Sequence, residues 1–366
     1  MFTLMQASHQ WATRLPEERF TSLPAMRSKL EELRGNSRAT VVSSRQLSAI
    51  HTEDNRGILI AGPNGHAAAP SNWAFGQLAN LSGAPGAYLR TLPAPLAADC
   101  LNYGLKVERD TQDIGVLLTR RPGTSELELR AATGPRYGRI WNVDVVRALE
   151  DRFGDGVTGD FRVPGEFGRE LSQVTTANTT LFAGDRDMFV FLADEKNRIE
   201  LPNRRDGQPG TLARGFFVTN SETGASALKI KTFLFDYVCA NRIVWNAEEL
   251  EEISIRHTAS APDRFLQDAA PALLEYSRAS AQGITTALRA AQSTKLEKVD
   301  AFLSARFGPR VADRIKAVHM TEEGRPIESA WDAVTGATAY ARSIQWTAER
   351  VEFETTAGAI LEDLAA

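Results

Sequence analysis

The chain has 366 residues, 43% of them hydrophobic and 24% charged, with a formal net charge of −4. That size buries one large core, or a core with a smaller helical layer, in two or three domains at most. The acidic total runs against a nucleic-acid binder, whose footprint is basic; the lack of any uncharged apolar window of about 18 residues runs against a membrane span. No apolar run follows a basic start, and Cys100 and Cys239 form no CxxC pair, so a reducing cytoplasm is expected, with neither zinc site nor disulfide framework.

In chain order, TSLPAMRSKLEELRG predicts a helix closed by Gly35, and RATVVSSRQLSAIH with GILIAG predicts a strand pair joined by HTEDNR. SNWAFGQLANLSG predicts a helix capped at Ser71 or Asn72 and ended by Gly83 and Pro85. LPAPLAADCLNYGL predicts a second short helix. LKVER, DIGVLLTR and SELELRAA are read as strands, and WNVDVVRALEDRFG as a helix closed by Gly154. A second strand set covers TTLFAG, DMFVFLAD, RIELP, ARGFFVTNS and SALKIKTFLF, with a polar loop at 203–210. In DMFVFLAD both faces are apolar, which predicts a central strand buried on both sides. LKIKTFLFDYV places Lys229, Lys231, Phe233, Phe235 and Tyr237 on one face, cationic at one end.

Past Asn246 the period turns helical. NAEELEEISIRH is read as a helix with Asn246 as its cap and Glu249 in the capping-box position. PDRFLQDAAPALLEYSRASAQGITTALRAAQS, KLEKVDAFLSARFG and PIESAWDAVTGATAYARSIQW follow. The pattern predicts an α+β fold with a largely antiparallel sheet packed on helices, divided into a core at 1–245 and an acidic helical part at 246–366. Charge follows that division: 29 lysines and arginines against 27 acids before Asn246, 13 against 19 from there on.

Motifs for chemistry are missing. There is no Gly-x-x-x-x-Gly-Lys-Ser/Thr phosphate loop, no HExxH and no GxSxG elbow, so neither an ATPase nor a hydrolase is indicated, no cofactor or metal is expected, and enzymatic activity is not predicted. His9, His51, His66, His257 and His319 stand in unrelated contexts. Glu248, Glu249, Glu251 and Glu252 read as a solvated first helical turn rather than an ion site. Asp185, Asp187 and Asp194 are the candidates for a metal-dependent nuclease, although GDRD reads more readily as a turn.

Two stretches are basic. Residues 120–147 carry Arg120, Arg121, Arg130, Arg136, Arg139 and Arg147, and residues 201–242 carry Arg204, Arg205, Arg214, Lys229, Lys231 and Arg242, each against three acids. In GPRYGRIWN, Arg136 and Arg139 flank Tyr137 at a helix entrance, a combination of phosphate neutralisation and a stacking face that suits single-stranded nucleic acid. Taken alone, the same loop reads more readily as a tight glycine turn with ordinary surface arginines. Arg204 and Arg205 in the polar loop carry the same two readings. The phenylalanines of the second strand set are read as core; Tyr237 and Trp245 are left open.

The blocks NWAFGQLANLSGAPGAYLRTLPAPLAADCLNYGL, ELRAATGPRYGRIWN, DRDMFVFLADEKNRIEL, GFFVTNSETGASALKIKTFLFDYVCANRIVWN and ESAWDAVTGATAYARSIQW, in this order, resemble the phage/plasmid-like proteins grouped as domain of unknown function 932. The order of helix, strands and arginine-tyrosine loop also resembles the Rad-type single-strand annealing superfamily. That second resemblance implies a curved antiparallel sheet on a helix, assembly into rings or filaments, and hold on single-stranded DNA through phosphates without ATP. The acidic total and the helical C-terminal part depart from it. The expectation is a non-enzymatic, homo-oligomeric DNA-annealing protein of mobile-element recombination or maintenance, with Arg136, Arg139, Arg204, Arg205, Lys229 and Lys231 on phosphate and Tyr137 stacked on a base. The alternative is an oligomeric structural protein that binds a host or phage protein.

Overall fold

The computed structural model describes residues 15–107, 112–121, 123–164, 174–177, 179–205, 208–236, 241–244, 253–278, 282–344 and 347–365. The chain opens with β1 (Arg19–Phe20) and α1 (Leu23–Gly35), whose cap Ser22 accepts a hydrogen bond from the Ala25 N–H. Next come β2 (Ser37–Ser43), β3 (Ser48–His51), β4 (Ile58–Ala61) and β5 (Ala67–Pro70). The helices α2 (Asn72–Leu81), α3 (Gly86–Leu89) and α4 (Ala94–Val107) precede β6 (Asp113–Arg120) and β7 (Leu127–Thr133). Ser71 caps α2 by accepting from the Ala74 N–H.

The six strands β2 to β7 form one sheet in the order β2-β6-β7-β5-β4-β3, antiparallel except for the parallel pair β5 and β7. Consecutive strands β2 and β3 therefore lie at opposite edges. Laid flat, those edges would stand about 24 Å apart. The five steps from Ser43 to Ser48 reach at most about 18 Å, so the sheet has to curl into a half-barrel. Its inner face carries Val42, Ile60, Ala68, Val116 and Leu129, which share one core with Leu78 of α2 and Leu101 and Leu105 of α4. The α4 side chain of Asn102 also caps the β3 edge, with its carboxamide on both the N–H and the carbonyl of Ala49 at 2.8 and 2.7 Å.

Beyond α5 (Asn142–Phe153), closed by Gly154 at φ +79°, come β8 (Phe161–Arg162), β9 (Leu181–Ala183), β10 (Met188–Asp194) and β11 (Ile199–Arg205). After these stand β12 (Gln208–Asn220), β13 (Leu228–Asp236), β14 (Asn241–Val244) and β15 (Ile253–Ile255). With β1 they make a second, antiparallel sheet ordered β1-β9-β10-β12-β13-β14, joined by β8 on β10, β11 on β12 and β15 on β13. All seven residues of β10 are buried, as its two apolar faces predict. One face presents Phe182, Phe189, Phe191, Phe217 and Phe233 as a separate aromatic cluster. The other places Val190, Leu192, Phe216 and Val218 against Met26 of α1 and Val146 of α5.

The remaining helices are α6 (Ala261–Arg264), continued by a π turn at Phe265–Ala269 into α7 (Ala270–Arg278), then α8 (Gln282–Ser293), α9 (Val299–Phe307), α10 (Pro309–Glu323), α11 (Ala330–Ala341) and α12 (Thr347–Ala365). Phe265 and Leu273 join the core under one face of the large sheet, whereas α8 to α12 build a second core in which Leu288, Ile315, Trp331 and Leu361 gather with Ile199, Leu212 and Leu234 of that sheet. Among the described residues no helix is long and apolar enough to cross a membrane.

The architecture is the α+β fold read from the sequence, with four local differences. Leu105–Val107 of LKVER are the last turn of α4, not a strand. RATVVSSRQLSAIH is cut by a 3-10 turn at Ser44–Gln46 into two strands at opposite sheet edges. Ile253–Ile255, read as helix, pairs with β13 and buries Ile255, because an open edge there outweighs the local helical pattern; the proposed cap Asn246 and Glu249 lie outside the described residues. Residues 203–205 and 208–210 of the expected polar loop are instead strand, paired as a ribbon in which Arg205 faces Gln208.

Candidate nucleic-acid interface

The turn between β12 and β13, residues 220–226, inserts between the two sheets and bonds to both. The Asn220 carboxamide donates to the Ile140 carbonyl and to Asn142 Oδ1, each at 2.8 Å. Thr223 offers its carbonyl to Trp73 Nε1 at 3.0 Å and to Gln77 Nε2 at 2.7 Å, both on α2. Gln77 Oε1 in turn accepts from the Ala132 N–H of β7 at 2.9 Å.

Glu222 is the hub of this junction. Its buried carboxylate accepts from Arg130 Nη1 at 3.1 Å and from the Asn142 N–H at 2.7 Å, at the positive end of the α5 dipole. Its main-chain carbonyl accepts from Arg139 Nε at 2.8 Å. Arg130, counted from sequence in a basic patch, is only 2% exposed and serves as the internal counter-charge. Arg214 of the second patch is likewise buried, donating from Nε to Asp194 at 3.0 Å.

The GPRYGR loop is pressed onto this turn. The Tyr137 hydroxyl donates to the Ser221 carbonyl at 2.7 Å, and its ring stacks on His257 with centroids 4.8 Å apart. The Arg139 guanidinium lies 5.6 Å from the rings of both Tyr137 and Trp141. Gly138 permits the approach, since a Cβ there would stand 1.8 Å from the Thr258 carbonyl oxygen. Burial pushes the Tyr137 phenol well up, keeping it protonated. Burial also lowers the Arg139 guanidinium and the His257 imidazole. The expected open stacking face of Tyr137 is therefore occupied by an internal ring, because turn 220–226 and the residues after β15 close over it.

Other sequence candidates fall in different places. Arg136 is exposed at the tip of the loop and makes no ion pair with a described residue. Lys229 is exposed on β13, opposite Thr219 on one side and Ser254 on the other. Half-buried Lys231 faces Phe217. Arg204 and Arg205 belong to β11, beside the start of β12. Twelve residues of β12 separate that end from Asn220, roughly 40 Å at strand rise. The fold thus brings the arginine-tyrosine loop to the Lys229 end of the sheet and leaves Arg204 and Arg205 far away. Sequence reading missed Arg186, whose guanidinium sits 4.8 Å over the Trp73 ring while its carbonyl accepts from Ser221 and Thr223. The GDRD turn was its only signal.

The carboxylates considered for metal chemistry do not converge. Asp187 precedes β10 and Asp194 ends it, about 23 Å apart at strand rise, and Asp194 is engaged with Arg214 and Asn197. No group of three or more metal-ligating side chains gathers among the described residues. Glu248, Glu249, Glu251, Glu252, Tyr237 and Trp245 lie outside them.

No curated protein and no solved structure matches the chain. One family model does, across residues 169–356, just over half the sequence, from ahead of β9 into α12. The half-barrel lies outside that match, as do β1 and β8 of the large sheet; the other strands of that sheet and the helices from α6 to the first half of α12 lie within it. The chain belongs to the family described as Domain of unknown function (DUF932).

Proposed function

We propose that the chain binds single-stranded DNA without turnover and promotes strand annealing in phage or plasmid recombination or maintenance. The supporting observation is the pair Arg136 and Lys229, exposed cations at one end of the large sheet, beside a junction where the Glu222 carboxylate neutralises Arg130 and its main-chain carbonyl holds Arg139. Arg186 extends the set along the same turn. Tyr137 and Arg139 act in this reading as positioning residues, fixing the loop that carries Arg136. Such a surface meets phosphates and is indifferent to base sequence. It needs no ATP, in keeping with a sequence that has no phosphate loop.

Fluorescence anisotropy with a labelled oligo-dT tests the reading. Saturable binding at low salt is expected, with log K falling against log salt at a slope of about −0.7 per phosphate contact, hence about −2 for three cations. Absence of saturable binding at low salt refutes it.

Self-association is a second reading favoured by β2. Its outer edge pairs with no described strand, and Val41 on it is 53% exposed, the template that strands use to join another copy. Light scattering separates the two: assembly unchanged by oligonucleotide and salt favours the structural role, assembly driven by oligonucleotide favours annealing.

A further inference from the structure

The inner face of the half-barrel is filled by α2 and α4 at its Ile114 end and open at its Arg120 end. The opening leads into a cavity of about 730 Å³, within the roughly 300–1,000 Å³ of small-molecule sites. Its floor is aliphatic, built from Ile60, Ala68, Val116, Leu118, Leu127 and Leu129. Its rim carries Arg38 and Arg120 with Gln46, Asn64 and His66. Among the described residues, no aspartate or glutamate lines it, and no phenylalanine, tyrosine or tryptophan does.

Charge selects the occupant. Arg38 faces Leu118 across the β2–β6 ladder, and Arg120 stands two residues further along β6 on the same face. That is a diagonal pair, about 7–8 Å apart, close enough for both guanidinium groups to hold one anionic head. Neither makes an ion pair with a described residue, so two like charges stand together over an apolar floor. Bases stack on aromatic side chains, and the floor offers none; an alkyl chain needs only aliphatic contact. We propose that the half-barrel binds a single-chain amphiphilic anion, its alkyl chain on the Val116–Leu118–Leu129 floor and its carboxylate held by Arg38 and Arg120. This site is independent of the DNA reading.

Titration calorimetry of the full chain with dodecanoate below its micellar range tests it, with dodecanol and acetate as controls. One dodecanoate per chain is expected, bound at least tenfold more tightly than dodecanol, with no heat from acetate. The pair of exposed changes Arg38→Gln and Arg120→Gln, which leave the core untouched, is expected to weaken dodecanoate at least tenfold and leave dodecanol unchanged. Equal binding of dodecanoate and dodecanol, binding unaffected by the arginine changes, or displacement of dodecanoate by oligo-dT would each overturn the proposal.

Discussion

The junction between the sheets and the mouth of the half-barrel each place two arginines beside an apolar sheet face, and they use them in opposite ways. At the junction, Arg130 and Arg139 are held by the carboxylate and carbonyl of Glu222, brought in by a turn of the other sheet. At the mouth, no described residue supplies an acid to Arg38 or Arg120. A guanidinium is thus structural or available according to what the tertiary fold lays against it, not according to how basic its neighbours in sequence are.

The sharpest way to break this comparison is Glu222→Ala, which strands Arg130 without its counter-charge in a dry site. A loss of about 3–5 kcal/mol is expected by urea denaturation, against no more than about 0.5 kcal/mol for Arg38→Ala at the exposed mouth. Equal effects would erase the distinction. Gly138→Ala comes next: its Cβ collides with the Thr258 carbonyl, and overpacking of this kind costs about 1–3 kcal/mol. Trp73→Phe removes the indole hydrogen bond to the Thr223 carbonyl and shrinks the ring under Arg186, for about 1 kcal/mol.

The smallest expected effect is on pH dependence. Burial, and after it the Arg139 guanidinium, holds the His257 imidazole below its ordinary 6.5. The unfolded chain then binds a proton that the folded chain refuses, so His257 costs no stability above pH 6.5 and lowers stability as pH falls from there towards its folded value. Urea midpoints at pH 7.5 and 5.5 should differ less in His257→Phe than in the wild type. An identical difference would show that the ring titrates freely.

Local chemistry made part of this legible in advance. The closing Gly35, the cap Ser71 and the closing Gly154 mark α1, α2 and α5, and alternation groups Phe189 with Phe191 on one strand and Phe233 with Lys229 and Lys231 on another, which pairing then brings to one sheet face. The half-barrel was not legible, since its curl follows from a short connection between strands whose edge positions only pairing reveals. Nor was the role of Tyr137, because a loop sequence does not say that His257, far along the chain, will cover the ring. Lys229 was legible in type and in face; its proximity to the Arg136 loop depended on turn 220–226 docking between the sheets.

The central claim, that exposed cations at this junction meet phosphate while its buried ones hold the fold, is tested most directly by the salt dependence of oligo-dT anisotropy for wild type and for Arg136→Gln with Lys229→Gln. The account predicts a slope reduced by about 0.7 for each charge removed, with an unchanged urea midpoint. A slope that stays the same, or a wild-type chain that binds no oligonucleotide at low salt, would contradict it.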